Sequence, residues 1–419
     1  MTPDMTPVRI PRSTMTALML AVFTVSVGYG VVLPLLPFVV EQFAGAGLTP
    51  GQVPRHAGLL TATYALALFL GAPLWGRLSD SYGRRNLLLV ALIGFSATTV
   101  IFSLASTLTA IYVQRFSSGL FAAGVTPIAS ATIGDLTPPG QQRGRLLAFV
   151  SMASIAGFLL GPTLGIATGR IGVEVFGIVT ESVTIPLVST AILGALASVL
   201  VAFVVSNRRS SVPTANPVLQ PARDKSEVVR RLLVLTFIVS AAVGVFEVGL
   251  ALRGKQDLQM APYQVALMFT ECSLVMFVMQ AVVFSPLIKV NTTRWLIAPA
   301  LLALVVGLFL VPLASGFWPM LAVIGGVAAS AGVASPILTY WISVKAGTAQ
   351  GWQFGKQTAA ASLGVTIGSA AGGLLFNVDA IPGASFVLSA ALVAVGSAIA
   401  VGLPDALMPR AKPAMEGTA

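Results

Sequence analysis

The chain has 419 residues, of which 56% are hydrophobic and only 9% are charged. Soluble domains carry about 25% charged residues, so this composition excludes an ordinary soluble protein and predicts a membrane protein. The formal net charge of +10 would suit a nucleic-acid partner, but the positions of the charges give it another explanation below. The single cysteine, Cys272, excludes a disulfide framework and a cysteine-based metal site, and the single histidine, His56, leaves little for zinc binding or histidine-based catalysis. We therefore expect neither an enzyme nor a metal protein.

Twelve apolar segments, separated by charged or Pro/Gly-rich residues, follow one another along the chain. A bilayer core of roughly 30 Å requires about 20 apolar residues per helix, and each segment is long enough. The predicted spans are 15–42, 57–76, 87–106, 108–134, 146–169 and 183–205 in the first half, and 231–252, 264–288, 295–314, 318–344, 354–377 and 384–404 in the second. The expected fold is an all-α membrane protein with twelve transmembrane helices.

The longest polar interruption lies near the midpoint and divides the chain into two halves. We predict an N-terminal six-helix bundle over residues 1–205, a cytoplasmic linker over 206–230 and a C-terminal bundle over 231–419. Three segments repeat in the same order: APLWGRLSDSYGRRNLLLVALIG matches SPLIKVNTTRWLIAPALLALVVG, AAGVTPIAS matches SAGVASPIL, and GFLLGPTLG matches GVTIGSAAG. These repeats indicate a duplicated six-helix unit, as in many transporters.

Most of the 24 Lys and Arg residues fall in the loops on one side of the predicted helices and in the two termini. Because short cytoplasmic loops are enriched in Lys and Arg, both termini are predicted to be cytoplasmic. The positive charge is therefore a topology signal, and no nucleic-acid partner is needed. The lipid bilayer and a small molecule are the expected partners, and we expect a monomer.

Four motifs carry a family resemblance. GRLSDSYGRR, from Gly76 to Arg85, resembles the G-x-L-x-D-x-x-G-R-R/K signature between helices 2 and 3 of the major facilitator superfamily. RFSSG, beginning at Arg115, resembles the R-x-x-x-G motif in helix 4 of that family's drug/proton antiporters. GFLLGPTLG resembles their helix 5 motif G-x-x-x-G-P-x-x-G through Gly157, Gly161, Pro162 and Gly165, and GYGVVLPLLP resembles their helix 1. The overall resemblance is strongest to the tetracycline/proton antiporters.

The resemblance implies two pseudo-symmetric bundles and a gate on the cytoplasmic side that is made and broken during transport. Asp80 would lie beside the start of helix 11, where the positive end of the helix dipole favours an anion, and Asp135 would pair with Arg84. The predicted gate residues are Gly76, Asp80, Gly83, Arg84, Arg85 and Asp135. The simpler alternative is a solvated loop that only obeys the positive-inside rule.

The glycines of helix 5 also have two interpretations. Glycines at four-residue spacing form packing faces in membrane helices, and in the antiporters the motif is associated with the direction of transport. Both interpretations remain open at the level of sequence.

Three ionisable residues lie within predicted spans: Arg115, Glu247 and Glu271. Such groups are costly in the bilayer and mark functional sites by default. All three fall at similar depth, and we predict that Glu271 carries the coupling proton, that Glu247 shares or relays it, and that Arg115 neutralises whichever carboxylate is ionised. The alternatives are an interfacial Glu247, a structural hydrogen bond of Glu271 and a packing role for Arg115.

The chain departs from the tetracycline exporters at two positions, since Val25 and Thr98 stand where those proteins carry acids. The expected function is proton-coupled export of a lipophilic or amphipathic compound by alternating access across a bacterial-type inner membrane, with the proton as coupling ion and no other cofactor. There are two alternatives. One is uptake or facilitated passage of a metabolite or siderophore-like nutrient, and the other is a non-transporting sensor or assembly protein with the same fold. Candidate cavity residues are Tyr29, Tyr64, Gln280, Tyr340, Trp341 and Gln357.

Overall fold

A computed structural model describes residues 10–33, 36, 39–40, 52–102, 107–138, 141–176, 184–206, 223–260, 262–283, 285, 288–345, 350–376 and 383–407. Within these residues the secondary structure is helical, with no strand. This part of the chain contains twelve long helices: α1 (Arg12–Val32), α2 (Gln52–Tyr82), α3 (Arg84–Phe102), α4 (Leu108–Leu136), α5 (Gln141–Phe176), α6 (Thr184–Val204), α7 (Arg223–Gln256), α8 (Pro262–Val283), α9 (Ile297–Leu310), α10 (Phe317–Lys345), α11 (Gln350–Leu374) and α12 (Ala384–Val401). A 3₁₀ helix, Val290–Leu296, precedes α9, and the short helix α13, Leu403–Leu407, follows α12.

The predicted all-α membrane fold is confirmed. Ten of the described helices are long and apolar enough to cross a bilayer. In α8 the described apolar stretch is shorter, Leu267–Val283. Glycine, alanine and polar residues make up much of α11, which packs along both α2 and α7. Such a helix requires fewer apolar side chains, because neighbouring helices shield it from lipid.

The two halves repeat the same helix pairs. In the first half α1 packs on α5 and α6, and α3 packs on α4 and α6; in the second half α7 packs on α11 and α12, and α9 packs on α10 and α12. The halves meet mainly where α2 runs along α11 and where α5 meets α8. Both halves therefore surround the central part of the molecule with the same arrangement of helices.

Two helices extend beyond the apolar segments that predicted them. Helix α7 begins at Arg223, inside the predicted linker, because Glu227 forms ion pairs with Arg230 at 2.5 Å and Arg231 at 3.0 Å one turn away. The rest of the predicted linker, 207–222, lies outside the described residues. Helix α2 continues to Tyr82, so Arg77 and Asp80 lie in its last two turns and not in a solvated loop.

A single residue makes the turn between α2 and α3. Gly83 has φ of +94°, a left-handed conformation that side-chain-bearing residues avoid at a cost of roughly 1–2 kcal/mol. Because the turn is so short, Asp80 at the end of α2 and Arg84 at the start of α3 come within ion-pair distance. The glycine thus places the two charges that the motif contributes.

Candidate functional site

Arg84 is the centre of a charge cluster at one end of the bundle, which we name the basic end. Its side chain is 3% exposed, and its Nη2 lies 2.6 Å from Asp80 Oδ1 and 2.8 Å from Asp135 Oδ2. The Nε also donates to Asp135 Oδ2 at 3.0 Å, and Nη1 donates to Ser79 Oγ at 2.6 Å. All these contacts lie within the first half of the chain, so Arg84 positions the two acids of that half.

Asp80 makes the contact that crosses to the second half. Its Oδ2 accepts a hydrogen bond from the backbone N–H of Trp352, in the first turn of α11, at 3.1 Å. Beside it, a Cβ on Gly76 would lie 2.5 Å from the carbonyl oxygen of Gly351 and 3.2 Å from the Cα of Gly355, so the two helices touch backbone to backbone. A carboxylate at a helix N-terminus is favoured by the helix dipole. Arg85, the remaining predicted gate residue, is half-buried at the start of α3.

The helix 5 glycines pack against α1. A Cβ on Gly157 would lie 2.9 Å from the side chain of Ser26, and a Cβ on Gly161 would lie 2.7 Å from the carbonyl carbon of Gly30. The side chain of Pro162 and the surroundings of Gly165 lie outside the part of the chain that the structure describes at side-chain level. Gly157 and Gly161 thus permit close approach of two helix backbones, as small residues do in membranes.

The corresponding pair in the second half has the same geometry. A Cβ on Gly364 of α11 would lie 2.9 Å from the backbone nitrogen of Ala241 in α7, and one on Gly368 would lie 3.0 Å from its Cα. Since α7 and α11 correspond to α1 and α5, the glycine spacing serves the same packing in both halves. This duplication favours the packing interpretation of the motif over a role specific to direction.

A cavity of about 450 Å³ lies between the halves. Residues of α1, α2, α4, α5, α7, α8, α10 and α11 line it, so both halves contribute four helices each. Its surface is mainly apolar, with the aromatic rings of Phe158, Phe246, Phe269 and Phe354. Apart from one carboxylate, the polar contribution comes mainly from hydroxyl and amide groups, including those of Ser26, Thr126, Ser130, Ser151, Ser154, Ser273, Gln280, Thr339, Gln357, Thr358 and Ser362.

Glu247 is the one carboxylate among the described residues that line the cavity. It is half-buried on α7 and accepts a hydrogen bond from the Tyr29 hydroxyl of α1 at 3.2 Å, so this contact joins the two halves. Tyr29 stacks on Tyr64 with ring centroids 5.3 Å apart, and the guanidinium carbon of Arg115 lies 5.5 Å from the centre of the Tyr64 ring. A continuous series of side chains therefore leads from Arg115 to Glu247.

The structure changes the predicted arrangement of the intramembrane charges. Arg115 is 3% exposed, and its charge faces the two tyrosines rather than a carboxylate; the ion pairs found among the described residues do not include it. Glu271 is half-buried on a face of α8 that does not line the cavity. Its Oε1 faces α10, where a Cβ on Gly325 would lie 3.4 Å from it. Cys272, its neighbour, lines the cavity instead, because a step of one residue turns the helix surface by about 100°.

Four of the six predicted cavity residues line the cavity: Tyr29, Tyr64, Gln280 and Gln357. Tyr340 and Trp341 do not line it. They are 4% and 6% exposed, and Trp341 Nε1 donates to Thr293 of the 3₁₀ helix at 3.3 Å. Thr339 is the residue of this turn that lines the cavity, and it accepts a hydrogen bond from Gln357 Nε2 at 2.6 Å. Tyr340 and Trp341 follow it by one and two residues and therefore lie on other faces of α10.

The sequence interpretation also passed over the hydroxyl groups of the lining. Ser26 on α1 and Ser154 on α5 are hydrogen-bonded at 2.7 Å beside the glycine contact, and both line the cavity. The signal that would have found them is a serine or threonine among small residues on the glycine-bearing face of a predicted span.

Two six-helix halves around a central, mainly apolar cavity, with inter-helix contacts at one end that join the halves, define a membrane transporter. The chain belongs to the Major Facilitator Superfamily, whose family profile matches residues 18–354. Multidrug resistance protein 2 of Bacillus subtilis is 24% identical over 364 residues, covering 85% of this chain and 87% of that protein. Quinolone resistance protein NorA of Staphylococcus aureus is 26% identical over 361 residues, covering 85% of this chain and 88% of that protein.

A solved structure shares the fold. The crystal structure of the human organic anion transporter MFSD10 (TETRAN) superposes with a TM-score of 0.78, covering 94% of this chain and 100% of that chain at 18% sequence identity. At that identity the similarity concerns the arrangement of helices only.

Proposed function

We propose that this protein exports lipophilic or amphipathic small molecules in exchange for protons, by alternating access of the central cavity to the two sides of a bacterial-type inner membrane. The cytoplasmic location of both termini and of the basic end is part of the proposal and rests on the positive-inside rule. The similar bacterial proteins bear names of multidrug and quinolone resistance. These names favour export of xenobiotic compounds over nutrient uptake or a sensor role.

The observation that carries the proposal is the position of Glu247. It is the single carboxylate in the described lining of a mainly apolar cavity, and its partner Tyr29 belongs to the opposite half. An ionisable group inside the membrane is costly, and such groups mark functional sites by default. A carboxylate that either holds a proton or faces the substrate gives the mutual exclusion that an antiporter requires.

Glu247 therefore replaces Glu271 as the proposed coupling residue. The sequence placed both at similar depth, but helix rotation brings Glu247 to the cavity and turns Glu271 towards α10. Tyr29 and Tyr64 separate Glu247 from Arg115. We propose that Arg115 acts through these rings on the site, since a charge in a medium of low dielectric acts over several ångström.

The cavity favours substrates of a particular kind. Its walls offer aromatic rings and many hydroxyl groups, which adapt to different ligands through apolar contact and single hydrogen bonds. A volume of about 450 Å³ accommodates a drug-sized molecule. A substrate with several charges would find too few opposite charges here to compensate for its desolvation.

Proton release from everted vesicles tests the proposal when a panel of amphipathic compounds is added. The wild type should collapse an imposed pH gradient and accumulate a compound against its own gradient. Glu247→Gln should lose accumulation but retain downhill exchange, because the neutral amide still fits the cavity and cannot exchange a proton. Glu271→Gln is the matched control and should retain uphill transport.

Two outcomes would contradict the proposal. If Glu247→Gln pumps uphill with the pH profile of the wild type, the coupling proton is not on this residue. If no compound in the panel alters the pH gradient with the wild type, the assignment as a proton-coupled exporter fails.

A further inference from the structure

Arg143 is a buried cation at the basic end that none of the sequence motifs includes. It lies in the first turn of α5 and is 5% exposed. Its Nε donates to the carbonyl oxygen of Thr137 at 2.9 Å, and Nη2 donates to that of Gly134 at 2.8 Å. These carbonyls end α4, where the unpaired acceptors and the negative end of the helix dipole attract a cation. Arg143 therefore caps α4.

The third nitrogen of the guanidinium reaches the other half. Nη1 donates to Oγ of Ser343 at 3.4 Å, and Ser343 is 1% exposed in the last turn of α10, which ends at Lys345. Tyr340, one turn earlier on α10, is close enough to interact electrostatically with Arg143. The guanidinium thus lies between the C-terminal ends of α4 and α10, which are equivalent helices of the two halves.

The cap on α4 accounts for only part of these contacts. Nε and Nη2 satisfy the carbonyls of α4, and both belong to the same half as Arg143. The Nη1 contact contributes nothing to that cap, and separation of the halves would break it together with the interaction with Tyr340. Positive-inside topology does not explain the burial either, since Arg145, two residues later, is exposed and carries the same charge.

We infer that Arg143 is a positioning residue that latches α10 to the end of α4 when the basic end is closed. The latch is distinct from the contact between Asp80 and α11 and has the opposite sign: an anion holds the N-terminus of α11, and a cation holds the C-termini of α4 and α10. Closure of the basic end thus depends on two separate charge–helix contacts. The inference rests on the proposed alternating access, but not on the identity of substrate or coupling ion.

The chain contains its own reporter for this latch. Cys272 is the one cysteine of the sequence, and it lines the cavity. In inside-out vesicles a membrane-impermeant maleimide reaches Cys272 from the cytoplasmic side only when the basic end opens. The labelling rate of the full-length protein therefore measures the population of the open state, with no substrate and no proton gradient present.

The variants are Arg143→Gln, Ser343→Ala and, as matched control, Arg145→Gln. Arg143→Gln should increase the labelling rate about tenfold, equivalent to about 1.4 kcal/mol in favour of opening. Ser343→Ala should increase it less, because the cap on α4 and the charge near α10 remain. Arg145→Gln should label at the wild-type rate.

Thermal unfolding in detergent identifies any variant that fails to fold. If Arg143→Gln does not fold, Ser343→Ala still tests the latch, because it leaves the cap on α4 intact. Wild-type labelling of folded Arg143→Gln, or of folded Ser343→Ala if Arg143→Gln does not fold, would overturn the inference. An equal increase for Arg145→Gln would also overturn it, since surface charge alone would then explain the effect. Because labelling requires no transport, these results are independent of the vesicle assay of the proposed function.

Discussion

Asp80→Asn is expected to weaken closure of the basic end without unfolding the protein. The substitution keeps the shape of the side chain but removes its charge, and Arg84 retains its two contacts with Asp135 inside the first half. The ion pair between Asp80 and Arg84 is lost as well, but both residues belong to the first half. The contact of this acid that crosses between the halves is the hydrogen bond from the Trp352 N–H, 3.1 Å long, and the substitution weakens it.

The size of the effect follows from the type of contact. A hydrogen bond to a charged group contributes about 1.5–3 kcal/mol and one between neutral groups about 0.5–1.5 kcal/mol. The Asp80 side chain is 17% exposed, so solvent weakens the contact only in part. Loss of the charge should therefore shift the equilibrium by about 1–2 kcal/mol, or roughly five- to thirtyfold, because only contacts that differ between the two states shift it.

Maleimide labelling of Cys272 in inside-out vesicles measures this shift, and transport at matched expression should fall in parallel. Asp257→Asn is the matched control, since Asp257 pairs with Arg253 at 3.3 Å with its side chain 46% exposed, at the opposite end of α7 from the predicted linker. Wild-type labelling and transport by Asp80→Asn would show that the acid does not hold the gate.

Two further predictions concern packing and topology. Gly161→Ala should lower the free energy of unfolding by about 1–3 kcal/mol, since its methyl group would overlap the backbone of α1; thermal unfolding in detergent measures this, and Gly326→Ala, with nothing within 4 Å of the new methyl group, should be neutral. In a Cys272→Ser background, Tyr82→Cys should be labelled only from the cytoplasm and Trp318→Cys only from outside, since both positions are exposed, at 64% and 78%, at opposite ends of the bundle. Labelling of residue 82 from outside would show that the predicted orientation in the membrane is wrong.

The sequence was sufficient for the class of protein, the helix count and the internal repeat. These follow from composition and from segment length, because a bilayer requires about 20 apolar residues per span wherever the helix lies in the bundle. The contact between Asp80 and Arg84 also follows from the motif, because the one-residue turn at Gly83 holds the two charged residues close together. The start of α7 at Arg223, inside the predicted linker, did not follow from hydrophobicity, because ion pairs of Glu227 accompany the helix beyond its apolar segment.

The positions of side chains around each helix required the tertiary structure. Glu247 and Glu271 have similar depth in the sequence, yet only the first reaches the cavity. Tyr340 and Thr339 are adjacent, yet only Thr339 lines it. The spacing of residues along a helix fixes their relative angle, but the face that meets the cavity depends on how neighbouring helices pack, and nearly every face of these spans is apolar. Depth is therefore a local property that the sequence determines, whereas rotation, and with it the membership of the site, is decided by contacts between the two halves.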